Sequence, residues 1–110
     1  MEYPNPPRQI LNIINQVFDL EKKIKKHPDS RSFERNLRRI NDQFEELGLS
    51  THNPLGELYQ ETRTDCEASI SGELKDKLII TEVIKPIIIA KDGGFNHIVQ
   101  KAVVIVESLK

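Results

Sequence analysis

The chain has 110 residues, of which 37% are apolar and 30% charged, and a formal net charge of −1. That length allows one compact domain or two small modules, burying roughly 65% of the unfolded surface. The near-neutral balance excludes a global pull toward nucleic acid or membrane, and the single cysteine, Cys66, excludes an intramolecular disulfide or a cysteine-built zinc cluster.

The first residues, Met1-Glu2-Tyr3-Pro4, are acidic and proline-rich, unlike a signal or transit peptide. Asn5 is a candidate helix cap, and Pro6 or Pro7 suits a first helical turn. Helix one is expected to run to about Lys26. Ile10, Ile13, Ile14, Val17, Leu20 and Ile24 form a stripe at helical spacing that Leu11 and Phe18 widen, so more than one neighbour is expected. Lys22, Lys23, Lys25 and Lys26 crowd its C-terminal end, where cations favour the helix dipole. Pro28 disfavours a helical His27 and ends the helix, and Asp29 or Ser30 caps the next one.

Helix two carries Phe33, Leu37, Ile40, Phe44 and Leu47 at spacings of 4, 3, 4 and 3, a narrow seam of coiled-coil type. Gly48 is the expected residue after its end. Two helices with a short link make an αα-hairpin. An isolated hairpin leaves the outer sides of both stripes wet, and pairing two hairpins into a four-helix bundle buries them. The competing arrangement packs both helices on the chain's own β head.

At Gly48 the hydrophobic period changes. Leu49 to Thr64 reads as a polar, turn-rich segment. Cys66, Ala68 and Ile70 then alternate with polar residues as a half-buried strand. Gly72 to Lys77 reads as a charged turn. Leu78 to Val83 and Ile84 to Ala90 read as one long strand, or two joined at a bend, with Pro86 at an edge or bulge. Asp92-Gly93-Gly94 is a hairpin turn. Ile98 to Val106 returns as a strand with apolar residues on both faces, hence central. The fold class expected is α+β: residues 1–48 a dimerising helical hairpin, residues 49–110 a small, mainly antiparallel, partner-binding β domain. The stretch Leu78 to Ala90 holds Glu82, Lys85 and Pro86 and is too short and polar to span a bilayer. With a lone cysteine this suggests a cytoplasmic protein.

Charge is unevenly spread. Lys22 to Arg39 holds eight Lys/Arg against Asp29 and Glu34, a net of +6, while Ile40 to Glu67 holds seven Asp/Glu against Arg63, a net of −6. The plain reading is a solvated basic helix face beside an acidic loop. The basic run lacks interleaved aromatics apart from Phe33, so nucleic-acid binding is not expected. Cys66, His97 and Asp65 match no cysteine-enzyme signature, and Cys66 on the apolar side of a strand behaves as a small hydrophobe. His27, His52 and His97 have no metal-ligand spacing. Gly93-Gly94 is too short to cradle phosphate. No catalytic residue, metal or cofactor is expected, and the chain is read as a non-enzyme.

The segment Glu46-Leu47-Gly48-Leu49-Ser50-Thr51-His52-Asn53-Pro54-Leu55-Gly56-Glu57 resembles the helix-to-β junction of GrpE, the nucleotide exchange factor of DnaK-type chaperones. Pro54-Leu55-Gly56-Glu57 matches the family's turn and Tyr59 its aromatic. Glu67-Ala68 matches the end of its His-Glu-Ala strand, with Cys66 in place of the histidine. Ile80 to Lys85 and Ala102 to Val106 are similar to later strands. The likeness covers about Leu47 to Val106. Gln100 and Lys101 stand where the family has arginine and proline, and Pro86-Ile87 where it has Gly-Tyr.

The resemblance implies a short form without the family's long N-terminal stalk. It implies a co-chaperone whose β head binds the ADP-loaded nucleotide-binding domain of a DnaK-type chaperone and promotes ADP release in protein folding and the stress response. The implied partner-binding residues are Pro54, Leu55, Gly56 and Glu57 at the junction, with Lys85, Gln100 and Lys101 on the sheet. The implied homodimer interface is Ile10, Val17, Ile24, Phe33, Leu37, Ile40, Phe44 and Leu47. The alternative is a dimeric interaction adaptor with a GrpE-like fold and a non-chaperone partner.

Overall fold

The computed structural model describes residues 6–72 and 77–108. Helix α1, Arg8–Lys25, starts after Pro7, whose carbonyl accepts from the amides of Ile10 and Leu11 in place of a side-chain cap. Asn5, the expected cap, lies outside the described residues. Helix α2, Ser30–Glu46, follows the break at His27-Pro28. Asp29 holds its N-cap position but makes no side-chain cap bond; the Asp29 carbonyl instead accepts from Ser32 Oγ at 2.8 Å.

Gly48 ends the hairpin in the left-handed region, at φ +81°. Its amide bonds the Glu45 carbonyl, and its own carbonyl accepts from the Lys91 amide at 2.7 Å. A Cβ here would lie 2.9 Å from the Lys91 carbonyl oxygen, so glycine is required by space as well as by backbone conformation.

Seven strands follow: β1 Leu49–His52, β2 Leu58–Tyr59, β3 Cys66–Ser71, β4 Leu78–Lys85, β5 Ile87–Asp92, β6 Phe95–Gln100 and β7 Ala102–Ser108. They form two sheets, of order β1-β5-β6 and β2-β4-β7-β3. All pairings are antiparallel except β3 with β7, which runs parallel from Cys66↔Ala102 to Ser71↔Glu107. The chain passes from the larger sheet to the smaller at Pro86, between β4 and β5, and returns at Lys101, between β6 and β7. A proline suits the first crossing, since no ladder bond is needed where a strand changes sheets. The Gly93-Gly94 turn between β5 and β6 has φ of +57° and +88°, the two positive values a type I′ hairpin needs.

The α+β class with two helices before a mainly antiparallel β part matches the sequence expectation, while several details differ. The polar stretch 49–64 contains two strands, β1 and β2. The break in the long apolar run falls at Pro86. The expected strand over 98–106 is two strands in different sheets, and of these only β7 is central. The single antiparallel sheet is two sheets with one parallel pair. The expected turn over 72–77 falls largely on residues 73–76, outside the described residues.

Two hydrophobic clusters result. The larger holds Phe18 with Cys66, Leu78, Ile80, Val83, Ile87, Ala102, Val104 and Val106. The smaller holds Ile14 with Leu49 and Ile88, flanked by Ile10, Leu11, Phe44, Ala90 and Val99. Helix α1 therefore bridges the two cores, with Ile14 and Phe18 one turn apart on the same face. Each side chain of this size, fully buried, contributes about 1.5–3 kcal/mol. Among the described residues, no helix is long and apolar enough to cross a membrane.

Gly48→Ala should destabilise more than Gly56→Ala. Both place an L-residue at positive φ, at about 1–2 kcal/mol, but at Gly56 nothing lies within 4 Å of the added Cβ. Urea denaturation of the two variants measures the difference; equal losses would mean the Lys91 contact costs nothing.

Candidate functional site

The Pro54-Leu55-Gly56-Glu57 turn is built from local bonds. The Leu55 amide donates to Asn53 Oδ1 at 3.1 Å, and the Glu57 amide to the Pro54 carbonyl at 3.1 Å. Gly56 adopts φ +85° and donates to the Ile80 carbonyl at 2.9 Å, while the Ile80 amide donates to the Glu57 carbonyl at 2.9 Å. The turn is thereby sewn to β4. Pro54 is fully buried and Leu55 is 55% exposed, so Leu55 is the side chain the turn offers to solvent.

Glu57 belongs to a charge cluster that joins β1 and β2 to Asp65, the residue before β3. Arg63 Nη2 donates to Glu57 Oε1 at 2.7 Å, Nε to Asp65 Oδ1 at 2.6 Å and Nη1 to the Leu58 carbonyl at 3.1 Å. His52 Nε2 lies 2.6 Å from Glu57 Oε2. Burial raises the Glu57 pKa, but the bonds from Arg63 and His52 outweigh it and hold the carboxyl below its ordinary value. Asp65 is held low chiefly by its bond from Arg63, against some burial. Arg63 is raised, mainly by the Asp65 bond. Next in the chain, burial pushes the Cys66 thiol up to about 11, leaving little thiolate at neutral pH. The sequence reading missed His52, Arg63 and Asp65 as a unit. The available signal was Arg63, the one cation in an acidic stretch and two residues from Asp65.

Lys85, Gln100 and Lys101 all lie at the corner where the chain changes sheets. Lys85 precedes Pro86, and Gln100 and Lys101 flank the return crossing. Gln100 does not offer its side chain outward. Its Nε2 donates to the Pro86 carbonyl at 3.0 Å and to Asn15 Oδ1 at 2.8 Å, and its Oε1 accepts from Asn15 Nδ2 at 2.8 Å. Lys85 and Lys101 are exposed. Lys22 from α1 joins the same end of β4, donating to the Val83 carbonyl at 2.9 Å with its ammonium 5.3 Å from the Phe18 ring centroid.

The residues expected at a helical interface divide into three sets. Ile10 and Phe44 pack inward on the smaller core. Ile24 and Leu37 line the groove between α1 and α2, where Asn41 donates to Glu21 at 2.8 Å, and Val17 is half-buried. Phe33, Ile40 and Leu47 remain 42%, 38% and 66% exposed, and no residue of α2 is fully buried. Ile13 and Leu20 of α1 are 50% and 48% exposed. A recess of about 560 Å³ opens beside Leu47, lined by Pro7, Ile10, Leu49, Ala90 and His97 among others.

Among the described residues, no three His, Cys, Asp or Glu side chains group to hold a metal ion. No protein-family model, curated protein or solved structure matches this chain.

Arg63→Met should lower stability at neutral pH by about 1–3 kcal/mol, because it takes the donor from the partly buried Asp65 and leaves Glu57 with His52 alone. It should also flatten the acid limb of the stability profile. Glu57 and Asp65 titrate below their ordinary values when folded, so their contribution is full above the unfolded carboxylate pKa of about 4 and is lost as pH falls through the folded values. Urea midpoints between pH 6 and pH 2 measure this; parallel profiles for the two proteins would remove the cluster's role.

Proposed function

We propose that the chain is a GrpE-like nucleotide exchange factor. Its β head, residues 49–110, docks on the nucleotide-binding domain of a DnaK-type chaperone and favours the open cleft, so that ADP leaves faster. The observation that carries this reading is the layout at Gly48: a helical hairpin ends on a glycine clamped to β5, and a Pro-Leu-Gly-Glu turn sewn to β4 opens the head. A binding partner shifts an opening equilibrium only by its differential affinity for the open state, so the work falls to a surface. Leu55 at the turn and the exposed ammonium groups of Lys85 and Lys101 at the corner are the contacts. Gln100 acts indirectly, by fixing the corner on which the lysines stand. In this reading the hairpins of two copies pair as a four-helix bundle and present two heads; the apolar exposure of Phe33, Ile40, Leu47, Ile13 and Leu20 supports that pairing.

Release of fluorescent ADP from a DnaK-type chaperone tests the exchange reading. Wild-type protein should accelerate release, and Lys85→Glu/Lys101→Glu should lose most of the acceleration while keeping its fold. No acceleration together with no binding overturns the reading in favour of an adaptor with another protein partner. Exposed Phe95 and Ile98 on β6, at 65% and 43%, favour that second reading.

Self-association is tested separately. Ile40→Asp should give a single-chain sedimentation mass with the helical signal retained, since Ile40 has no place in either core. An unchanged dimer mass would remove the bundle, and so would a wild-type protein that sediments as one chain.

A further inference from the structure

The recess beside Gly48 measures about 560 Å³ and is formed by Pro6, Pro7 and Ile10 from the start of α1 and by Ala90, Lys91 and His97 from β5 and β6. That volume is in the range of pockets that take a small ligand. Its walls are largely apolar: Ile10 and Ala90 pack on the smaller core, and Leu49, which also lines the recess, is buried. An apolar recess of this kind favours an apolar occupant over water.

Followed back from α1, the chain enters this recess. Pro7 stands in the polyproline conformation, at φ −55° and ψ 141°, and is exposed, whereas Pro6 before it is half-buried on the recess wall. The backbone thus turns toward the protein rather than away from it. Residues 1–5 lie outside the described residues, and their sequence limits what they can do. Tyr3 and Asn5 each precede a proline, which disfavours the helical region. Three residues span at most about 11 Å, so Tyr3 cannot be farther than that from Pro6. A tether this short gives an effective concentration on the order of millimolar at the recess, with which any free ligand must compete.

Tyr3 brings the chemistry that such a recess takes: a ring for the walls of Ile10 and Ala90, and a hydroxyl that finds a hydrogen-bond partner when buried. Glu2 is the segment's one charged side chain. Lys91 on the wall is its opposite and is in no ion pair among the described residues. We propose that the segment Met1–Asn5 straps across this recess within its own chain, with the Tyr3 ring seated between Ile10 and His97. The strap joins the start of α1 to β5 and β6 and holds the recess against other ligands, which enter only by displacing it. It stands apart from the exchange reading and needs no second copy.

Two measurements test the placement. The chain has no tryptophan, so Tyr3→Trp supplies a single fluorescent reporter. Its emission should be blue-shifted in the folded protein relative to the urea-unfolded chain, and less quenched by acrylamide; the same emission in both overturns the strap. Disulfide trapping reads the wall. In a Cys66→Ala background, with circular dichroism to confirm the fold, Tyr3→Cys is combined either with His97→Cys or with Asn96→Cys. Neighbouring residues of a strand point to opposite faces, and a disulfide spans roughly 7 Å between Cα atoms. Mild oxidation should therefore close the first pair within one chain and leave the second open. Equal trapping of both pairs, or no trapping of the first, overturns the seat beside His97. A cross-link between two chains overturns the strap within one chain and gives the recess to the segment of a second copy.

Discussion

The structure turns on one amide pair. Asn15 and Gln100 exchange two hydrogen bonds at 2.8 Å, and Gln100 also holds the Pro86 carbonyl. These contacts tie α1 to both places where the chain changes sheets, since Pro86 marks the first crossing and Gln100 ends the strand before the second. Asn15 sits between Ile14 and Phe18, which enter the smaller and the larger core respectively. Each neutral bond is worth about 1 kcal/mol net. The positional consequence is larger: the pair fixes where α1 lies over the sheet junction, and so lets one helix close two small cores that neither sheet closes alone.

The helical half was legible because its signals are local. Pro28, Gly48 and the 3.6-residue period depend on a few neighbouring residues, and Gly93-Gly94 encodes its turn through backbone freedom alone. The division into two sheets was not legible. Ile87 and Ile88 are both buried, each in a different core, so the alternation that marks a half-buried strand is absent where β5 begins. β1 was missed for the opposite reason: as an edge strand it buries only Leu49, and Ser50, Thr51 and His52 read as loop. The bulges in β4 let both Thr81 and Glu82 face outward between buried Ile80 and Val83, which breaks the period again. Of the site residues, Glu57 and Gln100 were found by resemblance while their physical roles came only with coordinates. Nothing in the sequence ties Gln100 to Asn15, eighty-five positions away.

Polar groups do structural work at both junctions. The Arg63 cluster fixes the first residues of the head, and the Gln100 amide fixes the corner. The side chains left to solvent at these places include apolar Leu55, Leu58 and Ile84 and the ammonium groups of Lys85 and Lys101. Such groups suit recognition: their bases are held by backbone bonds to β4 and by the corner, so little backbone ordering accompanies contact.

Helix α2 has little support within the chain. None of its residues is fully buried, it lacks a side-chain cap, and its first turn has no acidic residue and its last turn no basic one. It is attached through Leu37 and the Asn41–Glu21 bond to α1, through Phe44 on the smaller core, and through Gly48, whose carbonyl accepts from the Lys91 amide in β5. β5 starts directly after Pro86, whose carbonyl Gln100 holds. Helix α2 is thus joined to the head by backbone: the Gly48 carbonyl bonds β5, which follows the Pro86 corner between Lys85 and Gln100.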